Sequence, residues 1–243
     1  MGTKRRRENA VTTSLRNHVL TPLSRAVEIV EAERREIEAE RRAFVRFRDR
    51  IAGIETVTVP PPEPRPALAT ETDGRSPRAL ERVRGAFHET LMNMDHYEEV
   101  YGETVEEFAA SEFSPEVAAG FSGESGASFT DLYKTTLVTA VDGAVETRET
   151  TREHLDSELE SIETHRATLA EMIDSLDGPA ASARHRSEFE DRLAEVTESR
   201  QEEIHRRFPR AGADGHDLCQ YLHREPDWTY PVLTAVTRFQ TTL

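Results

Sequence analysis

The sequence predicts an all-α protein: a long antiparallel helical hairpin, coiled-coil-like in its pattern, with additional packed helices. Two long stretches repeat apolar residues every seven positions, the spacing of a helical seam. Clusters of proline and glycine separate the periodic stretches. The one alternating segment, Thr56-Val57-Thr58-Val59, is a single short run with no sheet to join, so it is not read as a strand.

Residues 1–14 are polar and are expected to be disordered. A basic amphipathic helix is expected over 15–54, with Leu23, Val30, Ile37, Phe44 and Ile51 in seven-residue phase from residue 22 onward. The positions four further on are Arg34, Arg41 and Arg48, so the stripe is half apolar and half guanidinium. Arginine can lay its stem on apolar surface while its head pairs with a carboxylate. Arg34, Arg41, Arg48, Phe44 and Ile37 therefore form a candidate interaction stripe. Pro60, Pro61, Pro62, Pro64 and Pro66 end that helix and make 55–76 a proline-rich linker, extended rather than helical.

The remainder, 77–243, reads as a helical domain. Ser76-Pro77 is an N-cap followed by a first-turn proline. Leu80, Val83, Phe87, Leu91, Met94, Tyr97 and Tyr101 then keep helical spacing up to Gly102, a helix stop. Thr104 and Glu107 are spaced as a capping box, and Ser114-Pro115 starts a further turn. Ser128 and Asp131 form another box, opening a helix of about 48 residues with any bend near Gly143. In it Val141, Leu155, Ile162, Leu169 and Leu176 are in phase, with Arg148 as the one break. Asp177-Gly178-Pro179 turns the chain back into a helix bearing Phe189, Leu193, Val196, Ile204 and Phe208. These two form the hairpin, 129–208. A C-terminal helical segment, 216–241, follows, with Trp228 as an anchor. The helix at 77–101 and this C-terminal segment are expected against the first half of the hairpin.

The chain has 243 residues and a formal charge of −15. Leu, Ile, Val and Phe total 51, near the roughly 20% below which charged chains tend to stay unfolded. Only Lys4 and Lys134 are lysines; the other basic residues are arginines. Excess carboxylate with scarce lysine points to a halophilic protein of a salt-accumulating cytoplasm, where carboxylates maintain solubility and excluded salt strengthens apolar burial. One cysteine excludes a disulfide framework. No apolar run approaches the roughly 18 residues of a membrane span, and Glu8, Asn9 and Thr12 after Lys4-Arg5-Arg6-Arg7 exclude the apolar core of a signal peptide.

Three clusters carry candidate chemistry. His96, Tyr97 and Tyr101 are the densest titratable and aromatic group, but no nucleophile, oxyanion donor or phosphate loop accompanies them. His216, Cys219 and His223 lie on one helical face. Adjacent members could share zinc, but the outer pair is too far apart to close a site, and the simpler reading is a packed cysteine between two histidines. Glu202 and His205 supply one of the two Glu-x-x-His pairs a helical di-metal site needs. No cofactor, metal or catalytic residue is assigned.

Leu91-Met92, His96-Tyr97, Tyr101, Glu107, Ala109-Ala110, Glu112-Phe113 and Pro115 resemble a haloarchaeal family of unknown function. So do Tyr221-Leu222 and Trp228-Thr229-Tyr230-Pro231-Val232-Leu233. Glu33-Arg34-Arg35 and Glu40-Arg41-Arg42-Ala43-Phe44 are similar too, and the likeness runs from about Leu20 onward. The resemblance implies a cytoplasmic helical protein of a halophile and brings no catalytic residues. The functional expectation is a non-catalytic scaffold with a protein partner or a second copy of itself. A DNA-associated regulator and a helical metalloenzyme are the rivals. Nucleic acid is disfavoured because glutamates interleave the basic residues of 24–50 and because counterion-release binding fades in strong salt.

Overall fold

A computed structural model describes residues 13–58, 75–122, 128–176, 183–206 and 215–242. Among them every regular element is helical. A π-helical turn, Arg16–Leu20, leads into α1, Thr21–Ala52. Then come α2, Arg75–Thr90, α3, Tyr97–Val100, α4, Val105–Glu112, and α5, Pro115–Ala118, which runs into the 3-10 turn Ala119–Phe121. The longest element is α6, Asp131–Ser175, followed by α7, Ala183–Arg206, α8, Gly215–Leu222, and α9, Pro231–Thr242. The expected disordered residues 1–12, the proline-rich run from Pro60 to Pro66, the Asp177-Gly178-Pro179 connection and Phe208 fall outside the described residues. Residues 13 and 14, expected in the frayed end, are helical.

The chain divides into two compact units, residues 35–152 and residues 1–34 with 153–243. In the 35–152 unit the core is aromatic. Phe44, Phe47, Phe87, Phe108, Phe113, Phe121 and Phe129 are all buried in it, which is how a chain with few aliphatic residues closes a core here. Phe87 is the hub, 5.3 Å from Phe47, 5.7 Å from Phe108 and 4.9 Å from Phe121 between ring centroids. Each such pair adds about 0.5–1.5 kcal/mol beyond the area it buries.

Local signals set the boundaries in this unit, and three differ from expectation. The helix expected over 77–101 begins at Arg75, placing Ser76 inside its first turn, and breaks after Thr90. Asn93 and Asp95 occupy the break, residue types whose side chains compete with helical backbone bonds. The chain turns helical again at Tyr97 and stops at Gly102, which has φ +56° and donates its N–H to the Tyr97 carbonyl at 3.1 Å. The Thr104–Glu107 capping box is present in full. At the start of α6 the cap is Thr130, whose Oγ1 accepts the Tyr133 N–H at 3.2 Å, and the expected Ser128–Asp131 box is displaced by two residues. Lys134 reaches the other way: its ammonium donates to the carbonyls of Ala52 at 2.7 Å and Ile54 at 2.9 Å, neutralising the C-terminal end of α1.

Gly120 is required by close packing. A β-carbon there would lie 2.0 Å from the Tyr133 hydroxyl, which donates to the Val117 carbonyl at 2.6 Å. Gly120→Ala must push the ring aside and break that bond. The expected loss is about 1–3 kcal/mol, as for other overpacked sites, measured as a lowered midpoint of urea unfolding followed by circular dichroism.

In the other unit α7 returns antiparallel along residues 153–175 of α6. Glu158 meets Arg200, His165 meets Glu203 and Glu171 meets Arg192. This is the hairpin the sequence predicts, with 24 residues in α7 against 45 in α6. Leu155, Ile162 and Leu169 are fully buried in the predicted phase, as are Leu193 and, at 2% exposure, Ile204 on α7. The C-terminal helix is not placed as expected: α9 packs on α7 and on the turn Arg16–Leu20, burying Val232, Ala235, Val236 and Phe239. Phe189 of α7 meets Phe239 of α9 with ring centroids 6.3 Å apart.

Candidate functional site

Two buried polar clusters hold the chemistry of this chain, one in each unit. In the 35–152 unit the centre is Arg148. It stands in phase between Val141 and Leu155 on α6, so helical geometry points it inward. Each nitrogen of its guanidinium donates: Nε to Glu40 at 3.0 Å, Nη1 and Nη2 to the two Glu112 oxygens at 2.7 and 2.6 Å, and its central carbon lies 4.5 Å over the Phe44 ring. Glu40, itself buried, accepts a second bond from the Tyr101 hydroxyl at 2.7 Å. His96 Nε2 sits 3.5 Å from the same carboxylate.

Burial works against the charge on Arg148, and Glu112 with Glu40 outweighs it, so the guanidinium is held more firmly protonated than in water. Burial, with the Glu40 carboxylate adding to it, pushes the Tyr101 hydroxyl well above the ordinary phenol range. Of the candidate cluster read from the sequence, His96 and Tyr101 converge on Glu40. Tyr97 does not: its hydroxyl donates to the Glu103 carbonyl at 2.9 Å.

The second cluster is centred on Arg200, which follows Leu193 by seven residues and precedes Ile204 by four. Arg200 and Glu158 are each 1% exposed, and Nη2 donates to Glu158 at 2.6 Å. Nη1 donates to Ser161 Oγ at 2.7 Å, and Ser161 in turn donates to Glu203. His165 Nε2 lies 3.3 Å from Glu203, and Cys219 Sγ lies 3.6 Å from Arg200 Nη2. Burial raises the Glu203 carboxyl, but bonds from Ser161 and His165 with the nearby Arg200 charge bring it below its ordinary value. His223, just past the end of α8, completes the cluster. It is buried beside Trp228, with ring centroids 5.0 Å apart, and neither ring nitrogen has a hydrogen-bond partner.

Burial lowers His223 to about 4, Glu158 opposing and Arg200 reinforcing. A histidine depressed below its unfolded value takes up its proton more readily when the chain unfolds. Stability is therefore expected to fall as pH drops from about 6.5 toward about 4, by about 3 kcal/mol across the window. His223→Phe should flatten that slope in urea unfolding repeated between pH 4 and 7. Glu38 is also shifted down, to about 2, but because its charged form is stabilised, chiefly by its bond from Arg41 against burial, with Arg42 adding to it. Its contribution persists until pH falls below about 4.5, so the two windows separate.

Each arginine of the expected interaction stripe has a carboxylate within the chain. Arg34 pairs with Asp156, Arg41 donates to Glu38 at 2.9 and 3.0 Å, and Arg48 pairs with Asp142 at 3.2 Å. Phe44 is fully buried and Ile37 half-buried. Among the described residues no three His, Cys, Asp or Glu side chains converge as a metal site, which covers the Glu202–His205 pair; the His216 side chain is not among them. No helix of the described residues is long and apolar enough to cross a membrane.

Sequence reasoning passed over Arg200, Glu158 and Glu40, although each occupies a seam position of its helix. Glu40 lies four before Phe44 and Glu158 three after Leu155. A charged residue in phase with a buried stripe was the available signal.

A family model described as a domain of unknown function, DUF7260, matches residues 21–243. No curated protein and no solved structure matches the chain.

Proposed function

We propose that this chain, which belongs to the DUF7260 family, is a non-catalytic helical scaffold that holds a protein partner in a halophile cytoplasm. The observation that supports the reading is how completely Arg148, Glu40 and Glu112 satisfy one another. All three Arg148 nitrogens donate, and both oxygens of Glu40 and of Glu112 accept. A catalytic acid or base needs a lone pair or proton left for its substrate, whereas here the groups fasten one helix to the next. The stripe arginines are likewise engaged inside the chain, so the partner meets the outer helix surfaces.

Light scattering on the full chain in molar KCl, alone and after co-purification from its native host, tests this. A stoichiometric complex heavier than the 27.5 kDa chain is expected. A chain that stays at that mass and retains no partner overturns it. Replacing Arg34, Arg41 and Arg48 together by Gln should leave the mass unchanged and lower stability only slightly, since such part-exposed pairs contribute about 0–1 kcal/mol each. The DNA-binding alternative is weakened by Glu38, which sits between Arg41 and Arg42 and accepts from both. A gel shift with duplex DNA in molar KCl is expected to show no complex.

A further inference from the structure

We infer that Cys219 and His223 form a two-coordinate binding site for a soft monovalent cation of the copper(I) type. Cys219 lies on α8 and His223 immediately follows its last residue, with the His223 N–H closing one more turn onto the Cys219 carbonyl at 3.0 Å. Residues four apart share a helix face, and helical side chains lean back over the preceding turn, which here carries the sulfur. Each is 1% exposed. Arg200 Nη2 is 3.6 Å from Cys219 Sγ, and the Arg200 charge disfavours protonation of the His223 ring.

His223 is the anomaly that calls for a ligand. Every other polar side chain of this cluster has an assigned partner, Arg200 with Glu158 and Ser161, Ser161 and His165 with Glu203. Both imidazole nitrogens of His223 are buried with none. Native proteins rarely leave such groups unmet, and an ion is one of the few things that meets them. Burial keeps the ring neutral at ordinary pH, so a lone pair is available to a metal.

The surroundings select the ion. A thiolate and an imidazole are soft donors of the kind copper(I) prefers, and copper(I) accepts two donors in a line. Structural zinc takes four, which the described residues do not bring together. Charge gives the same answer. The reaction is Cys219–SH + Cu⁺ → Cys219–S–Cu + H⁺, in which copper and sulfur keep their oxidation states and one proton leaves. A buried site beside Arg200 therefore gains no net charge, whereas a divalent ion would add one there. Burial suits such a site and disfavours a peroxide-sensing role, since sensor thiols are exposed.

The test is anaerobic titration of the full chain with copper(I) in competition with a chromophoric copper(I) chelator. One copper retained per chain, one proton released and a raised melting temperature are expected. Cys219→Ser and His223→Phe, the latter keeping a ring against Trp228, should each weaken retention at least tenfold. Wild-type protein that surrenders all its copper overturns the proposal, as does His223→Phe protein that holds copper as tightly as wild type. X-ray absorption on the copper-loaded wild type decides independently of how the variants fold. One sulfur and one nitrogen around copper supports the site; a shell without sulfur overturns it. None of these outcomes bears on the scaffold reading, which rests on the other side chains.

Discussion

Arg148→Met is expected to lower the stability of the 35–152 unit by about 3–5 kcal/mol, the loss typical of breaking a buried ion pair from one side. Methionine fills most of the stem volume, so cavity formation is a minor part of the loss. The damage comes from Glu40 and Glu112, whose side chains are only 6% and 16% exposed and would be left buried without their cation. Tyr101 would still donate to Glu40 but carries no charge to offset it. Urea unfolding at fixed molar KCl, followed by circular dichroism, measures the change. The triple replacement Arg148→Met, Glu40→Gln, Glu112→Gln should recover much of the loss, because it removes the stranded charges together with their partner. A single variant within about 0.5 kcal/mol of wild type, the range of an ordinary surface change, would show that the cluster fastens nothing.

Arg200→Met should have an effect of similar size in the other unit. It strands Glu158, which is 1% exposed, and removes the donor to Ser161. A loss of about 3–5 kcal/mol is again expected, read from the same unfolding experiment. This variant also makes a pH prediction. A buried carboxylate without its cation takes up a proton more readily in the folded state than in the unfolded chain. Its folded pKa is then raised, so the deficit relative to wild type should shrink as pH falls from 7 toward 5. A deficit that stays constant over that interval would point to lost packing rather than a stranded charge.

The two clusters show how far periodicity can be read. The seven-residue phase of Val141, Leu155, Ile162 and Leu169 announces both the long helix and its buried face, and it places Arg148 on that face. It does not announce the partners. Glu40 lies 108 residues away along the chain and Glu112 lies 36 away. With 46 acidic residues in the sequence, nothing local distinguishes these two. The same holds for His96 and Tyr101, whose closeness in sequence suggests a cluster with Tyr97, although Glu40 is the group that gathers them. The break after Thr90 was missed because Met94, Tyr97 and Tyr101 keep helical spacing across it. Spacing reports which residues face inward, and a turn that returns to the same face leaves it unchanged.

Alone, the sequence determined that this protein is helical, where most helices stop, and which faces are buried. Those properties follow from short-range rules: the 3.6-residue turn, caps such as Thr104 with Glu107, and stops such as Gly102. Only the tertiary structure decided that the stripe arginines find carboxylates within the chain. It also decided that α9 packs on α7 and that His223 is buried without a hydrogen-bond partner. Pairing between distant residues depends on which of many equivalent carboxylates the folded backbone brings within about 3 Å, and that distance exists only once the helices have packed.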